Sequence, residues 1–303
     1  MPSLSDVKAK NSAVSFPYRP VALVVGGTSG IGQAIATALA RYTRGNIHII
    51  ICGRNKSAAE KVIASFPTTA TSKYEFLECD ASKLRNVAAS CKVLQQERGV
   101  SKLNYLVLSP GYFARKAPFY DNGEGLDEFA CLAFYSRFKF VHELLPLLQA
   151  AKNLGEEARV LTILAAGRGN AVDMDHIGFK KEYPSFGSTS EAPTYSSAAV
   201  EAFAKRNPRL SFTHSSPGLV DTPLKPPEGI LWAVGNWLVS PLKISAADCA
   251  EWQSFVLLGP ATISGAFHVD SHADEIPAGK LHLSDEVNDS IYGHLMSTFE
   301  DQK

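Results

Sequence analysis

The run Gly26-Gly27-Thr28-Ser29-Gly30-Ile31-Gly32 directly follows the apolar stretch Val21-Ala22-Leu23-Val24-Val25 and leads straight into Gln33-Ala34-Ile35-Ala36-Thr37-Ala38-Leu39-Ala40. This order of strand, glycine-rich turn and helix start constrains the chain more than the glycines alone do. A buried strand ending in such a turn gathers the free N–H groups of the next helix at one point, and that point cradles the pyrophosphate of a dinucleotide. Gly26 suits the tight turn. Gly30 lets the backbone come up to the phosphates, and Gly32 lets the helix pack close to the strand. Thr28, Ser29 and Ile31 complete the loop.

Downstream, the same alternation continues. Strand-like runs at NIHIIICGR, KYEFLECD, LNYLVLSPG, ARVLTILAAG, LSFTHSSPG and GAFHVD are separated by helix-like segments, including a long one from about Leu126 to Lys152 and one around Ala198 to Lys205. The strands are nearly continuous apolar runs, as expected when helices cover both faces of a parallel sheet. The pattern predicts an α/β fold, a Rossmann-type, doubly wound, mostly parallel seven-stranded sheet flanked by helices. Residues 1–19 read as a flexible N-terminal arm and residues 20–303 as one dinucleotide-binding domain. Two long connections, 168–193 and 225–242, lack periodicity, and such loops in compact domains are usually lids or irregular excursions.

Composition narrows the partners. Lys+Arg and Asp+Glu are both 30 in 303 residues, so the balanced charge argues against a nucleic-acid surface or a polybasic membrane patch. No uncharged apolar stretch reaches spanning length, and the polar N-terminus does not resemble a signal peptide. Five scattered cysteines, several in apolar runs, suggest buried thiols in a reduced, cytoplasmic setting.

Several further motifs follow in order. Val25 to Gly32 is similar to TGxxxGIG, with Val25 in place of the Thr. Cys52-Gly53-Arg54-Asn55 stands at the end of the second strand and Asp80-Ala81-Ser82 at the end of the third. Ser109-Pro110-Gly111 stands where NAG is usual. Leu144-Leu145-Pro146-Leu147-Leu148 ends the long helix, and Pro217-Gly218-Leu219-Val220-Asp221-Thr222 is similar to PGxVxT. Through these, residues 20 to about 270 resemble the short-chain dehydrogenase/reductase family, with the general layout most similar to retinol-dehydrogenase-like and fungal members. The resemblance implies that the Gly-rich loop, Arg54 and Asn55, Asp80 and Ala81, Ser109 to Gly111, and Pro217, Gly218, Val220 and Thr222 bind the cofactor.

Arg54 also has a reading of its own. An acid at the second strand end binds the ribose 2′-OH of NAD. An Arg there fits a 2′-phosphate bidentately and gains little from a neutral hydroxyl, which favours NADP(H) over NAD(H). The alternative is a solvated Arg at a strand end.

The family's catalytic set is mostly missing. The resemblance implies a Tyr as acid/base, a Lys four residues later, a Ser after the fifth strand and an Asn on the long helix. Counting back from Pro146 puts the Asn position at Ala133, and the fifth strand puts the Ser position at Ala165. Tyr195 is the natural Tyr, yet the residue four later is Ala199. Sliding the register places Pro193 and Ser197 at the Tyr and Lys positions. Lys205 lies ten residues beyond Tyr195, about three helical turns away. Tyr195 is therefore either a proton donor with a pKa nearer the ordinary ~10, or a ring packed at a helix start.

Other polar candidates are Tyr112 and Arg168, each just past a strand end where ligands bind in such sheets, together with Tyr135, His214 and Asp221; the alternative for each is a surface or lid residue. Asp173, Asp175 and His176 lack a partner cluster, so no metal is expected. The segment around 225–242 is apolar (Ile230, Leu231, Trp232, Val234, Trp237, Leu238) and reads as a lid over an apolar or aromatic small-molecule substrate. A contact between copies of the chain, making a homo-oligomer, or an amphipathic lid helix packed on the domain's own core suits it equally. Three functions remain open. One is an NADPH-dependent reductase with altered proton delivery, acting on an apolar compound in secondary metabolism. The second is a non-redox cyclase, isomerase or dehydratase on the same scaffold. The third is a non-catalytic NADP-binding protein.

Overall fold

The computed structural model describes residues 2–111, 120–175, 177–179, 187–223, 240–259 and 264–302, with backbone alone at 187–190 and 241. The described residues form seven strands in one sheet: β1 (Val21–Val25), β2 (His48–Gly53), β3 (Lys73–Glu78), β4 (Tyr105–Leu108), β5 (Arg159–Ile163), β6 (Ser211–Ser215) and β7 (Gly265–Val269). Their spatial order is β3-β2-β1-β4-β5-β6-β7, and every pairing is parallel. The chain moves outward from β1 in one direction to β3, then returns to start the other half at β4. That reversal between β1 and β4 opens a crevice at the carboxyl ends of the strands.

Helices cover both faces: α1 (Leu4–Ser12), α2 (Gly30–Tyr42), α3 (Lys56–Ala64), α4 (Leu84–Lys92), α5 (Ser136–Asn153), α6 (Gly187–Arg206), α7 (Ala246–Leu258) and α8 (Asp285–Glu300). Side-chain alternation along β1 splits the core in two. Ala22 and Val24 pack with residues of α2, α3 and α7, whereas Leu23 and Val25 pack with those of α4, α5, α6 and α8. All five strand residues of β1 are buried, which is why the sequence shows a continuous apolar run rather than an alternating one.

Three features depart from the sequence reading. The arm expected to be flexible holds α1, which docks on α7. Ser3 and Asp6 form a reciprocal capping box, Val7 is buried, and the Asn11 side-chain amide donates to the Glu251 carbonyl at 2.9 Å. A four-residue cap followed by one apolar and one hydrogen-bonded residue at i and i+4 suffices to anchor a short helix. The long helix arrives in pieces, with a turn at Glu128–Ala130 and a π-turn at Cys131–Tyr135 before α5. Finally, α8 falls in a stretch for which the sequence reading gives no element. Its start is marked by Ser284, which accepts from the Val287 N–H at 3.2 Å, and by Asp285 and Glu286 in the first turn. All five cysteines are buried free thiols, and no described helix is long and apolar enough to cross a membrane. The lid region expected around 225–242 lies outside the described residues up to 239.

Candidate functional site

The carboxyl ends of β1 to β6 open into a cleft of about 880 Å³. At its centre lies the glycine turn after β1. Gly26 has φ +79°, and a Cβ there would lie 2.6 Å from the Ser109 carbonyl oxygen. A Cβ at Gly32 would lie 2.4 Å from the carbonyl oxygen of Gly26. Both obstacles are backbone, so a side chain at either position would force the turn apart. Gly32 thus packs behind the loop, whereas Gly26, Thr28, Ser29, Gly30 and Ile31 line the cleft itself.

α2 begins at this wall. Ser29 holds the N-cap position but makes no side-chain cap bond, and the first turn carries no acidic residue. The orphan N–H groups of that turn are left to an acceptor in the cleft, which suits an anionic group.

Toward β2 and β3 the cleft is polar. Arg54 is exposed on its rim and Asp80 and Ala81 form its wall. The Asp80 carboxylate accepts from the Ser82 N–H (3.1 Å) and hydroxyl (2.8 Å), which fixes that turn. Asn55 is occupied otherwise: its side-chain oxygen caps α3, accepting from the Ala58 N–H at 3.0 Å, and it does not line the cleft. A short polar residue before a helix is spent on the cap more readily than on a ligand.

Across the switch point, Ser109, Pro110 and Gly111 line the middle of the cleft, and Pro217, Gly218, Val220 and Thr222 its far wall. That end is lined by Leu132, Ile163, Leu164 and Leu219, with two cations among the described residues: Arg137 at its base and Lys243 beside the far wall.

Arg137 is the group the sequence reading misses. It lies on α5 and is only 1% exposed. Its Nη1 donates to the carbonyls of Leu108 (2.8 Å) and Ile163 (3.0 Å) and to the Thr162 hydroxyl oxygen (2.9 Å), and its Nη2 donates to the Pro110 carbonyl at 2.5 Å. The one sequence signal is a lone charge in the uncharged run from Phe129 to Phe138, four residues after Ala133 and so on the same helix face.

The candidate catalytic residues are placed elsewhere. Tyr195 is fully buried on α6, its ring centroid 5.5 Å from that of Phe134 and 5.3 Å from that of Phe179, and its hydroxyl accepts from the Gly178 N–H at 3.2 Å. Tyr195 and Ala199 pack into the same buried cluster as α5, and neither lines the cleft. Among the described residues, α6 contributes nothing to the cleft wall. Arg168 is exposed on the turn after β5, its N–H bonded to the Ala165 carbonyl at 3.1 Å, and stands off the cleft. Tyr112 lies outside the described residues.

Tyr135 bonds His294 Nε2 at 2.8 Å, and burial raises its phenol pKa well above the ordinary value. His214 is fully buried, its Nδ1 2.8 Å from the Ser197 hydroxyl, and burial pushes its pKa well down. Asp221 is exposed in a two-residue bridge. Asp173 accepts from the Asp175 N–H at 3.2 Å in an exposed turn, His176 is outside the described residues, and no described group of side chains could hold a metal ion.

A sequence model of the short chain dehydrogenase family matches residues 20–165. The chain is 32% identical over 239 residues to Short-chain dehydrogenase/reductase SAT2 of Stachybotrys chartarum, covering 74% of this chain and 67% of that protein. It belongs to the short-chain dehydrogenase/reductase family. Another relative, Oxidoreductase AN1596 of Emericella nidulans, is 34% identical over 224 residues, covering 73% of this chain and 65% of that one. The chain spans about 65% of the length of the first curated relatives it matches. The fold is also that of an NADPH-bound carbonyl reductase from chicken fatty liver, with TM-score 0.62 at 16% identity over 86% of this chain and 99% of that one.

Proposed function

We propose that this short-chain dehydrogenase/reductase binds NADP(H) and acts as an oxidoreductase on an apolar small molecule, with a proton economy unlike that of the usual Tyr–Lys enzymes. One observation carries the reading. The turn in which neither Gly26 nor Gly32 can accept a Cβ opens onto a helix N-terminus with no side-chain cap, and a guanidinium stands on the same cleft's rim. The turn and helix start fit a pyrophosphate, and Arg54 fits a 2′-phosphate. Bound NADPH would supply a hydride. Asp80 and Ala81 shape the adenosine end, and Ser109 to Gly111 carry the dinucleotide across the switch point. Leu132, Ile163, Leu164 and Leu219 give the far end apolar walls, which suits an apolar substrate.

Among the described residues no tyrosine lines the cleft, so the usual Tyr–Lys pair is not assembled there. Acceptors that need no proton at the moment of hydride transfer, such as iminium ions, therefore fit better than simple ketones. The same feature supports a second reading, in which the pocket orients a reactive intermediate for a cyclisation, isomerisation or elimination without net redox change.

Titrating the protein with NADPH and following nicotinamide absorbance with iminium and carbonyl acceptors tests the proposal. Binding with acceptor-dependent oxidation is expected. Binding with product formed but no NADPH consumed would favour the second reading, and absence of NADPH binding would sink both.

A further inference from the structure

Arg137 is an expensive residue to bury. Its guanidinium is held in an interior where an ion without a counter-charge costs several kcal/mol, and among the described residues no carboxylate pairs with it. Its hydrogen-bond partners are neutral: three carbonyls at and just past the ends of β4 and β5, and a hydroxyl. Its Nε is buried with no partner among the described residues. Burial lowers its pKa to about 9, which still leaves it charged at neutral pH. Stapling β4 to β5 does not by itself need a charge, since a neutral amide also donates to carbonyls.

Its place in the cleft suggests why a charge is kept. Arg54 and Asp80 mark the adenosine half on the β2 and β3 side, and the helix start marks the pyrophosphate. The other half of a dinucleotide must then run over the ends of β4 and β5, where Arg137 is bonded at Leu108, Pro110 and Ile163. The lysine that usually brings positive charge to this half is missing at both positions the sequence offers for it, Ala199 and Ser197, and the other cleft cation, Lys243, lies on the far wall rather than beneath the strand ends.

We propose that Arg137 is a positioning residue that takes over the electrostatic part of that lysine's work: a fixed buried cation beneath the nicotinamide half that selects the neutral, reduced ring over the cationic, oxidised one. The inference rests on the NADP(H) reading above. It makes Arg137 a sensor of cofactor oxidation state that favours loading of NADPH and release of NADP+, with its hydrogen bonds holding the two strand ends in register under the ring. Because the charge is buried, the discrimination should persist as ionic strength rises.

The test is equilibrium binding of NADPH and of NADP+ to the full chain, by calorimetry or fluorescence, at low and moderate salt. Wild-type protein is expected to prefer NADPH by about tenfold or more, the scale of one nearby charge at a protein's effective dielectric. Arg137→Met should bring the ratio of the two affinities close to one. Arg137→Lys should keep most of the ratio while lowering thermal stability, because a lysine cannot reach all four acceptors. Arg54→Ala should weaken both forms alike and leave the ratio unchanged.

A ratio in Arg137→Met equal to wild type, with both affinities scaled together, would overturn the proposal and leave Arg137 a strand staple. Should the Met variant not fold, a wild-type ratio near one overturns it alone. Wild-type protein that binds neither form would instead overturn the cofactor reading itself.

Discussion

Arg54 closes the β2 end of the cleft with a guanidinium on the rim, where a bidentate contact to a phosphate is open to it. Charge-assisted hydrogen bonds are worth about 1.5–3 kcal/mol. Arg54→Ala is therefore expected to weaken NADPH binding by about tenfold or more and to leave NADH binding nearly unchanged, as read by parallel titrations. Equal loss for both would show that Arg54 does not touch a 2′-phosphate. Tyr195 makes the opposite case. Its hydroxyl serves the Gly178 N–H inside an aromatic cluster rather than the cleft. Tyr195→Phe should cost about 1 kcal/mol of stability with turnover essentially retained, measured by denaturant melts beside activity. A large drop in turnover at intact stability would put the phenol back into the chemistry.

At the scale of elements, the N-terminal helix and α7 share one carboxylate. Glu251 is 4% exposed; it accepts from Arg41 Nη2 at 2.6 Å, from the Asn11 amide at 3.3 Å and from the Tyr42 hydroxyl. Three elements, α1, α2 and α7, thus meet on one side chain. Arg41 is itself half exposed, so solvent screens much of the ion pair, and the hydrogen bonds to Asn11 and Tyr42 dominate. Glu251→Ala should lower stability by about 1–3 kcal/mol and make α1 the first segment cut by protease, while NADPH affinity stays near wild type. Protection of residues 4–12 unchanged in the variant would mean that Val7, the Asn11 bond to the Glu251 backbone carbonyl and the Lys8–Asp248 pair dock the helix without the carboxylate. The π-turn before α5 acts at the same scale. It sits one turn ahead of Arg137, and the two together set the phase with which α5 presents that residue to the strand ends.

The whole molecule carries a pH signature through its buried histidines. Burial holds His214 well below the ordinary value of 6.5, and His294 is lowered by the same cause. Both stay neutral in the fold, whereas in the unfolded chain they take up protons below about pH 6.5. The unfolded state then binds more protons, so stability is full above that pH and falls as pH drops through 6 toward 5. Thermal melts across pH 5 to 8 should show a falling Tm on the acid side, and His214→Gln should flatten part of that slope. A Tm flat down to pH 5 would show that these imidazoles are charged in the native state. Neighbouring charges belong to this balance, because Arg137 and His268 both add to the depression at His214.

The sequence by itself determined the parallel α/β sheet and the glycine cradle, because each is written in adjacent residues. A buried strand must be apolar throughout, and a turn pressed against the backbone of Gly26 and Ser109 excludes every side chain at its two tightest points. Arg54 was legible for the same reason, standing next to a strand end that the apolar run had already located. Helix phase is not local in this way. Whether Tyr195 points at the cleft or at Phe134 depends on how α6 rotates against α5, and nothing within six or eight residues of Tyr195 encodes that rotation. Whether a lone cation in an apolar helix reaches water or the carbonyls of Leu108, Pro110 and Ile163 depends on strands some 26 to 29 residues away in the chain. Only tertiary packing decided that Tyr195 is a core ring off the cleft, that the N-terminal arm is a docked helix, and that a buried charge under the far end of the cleft comes from Arg137.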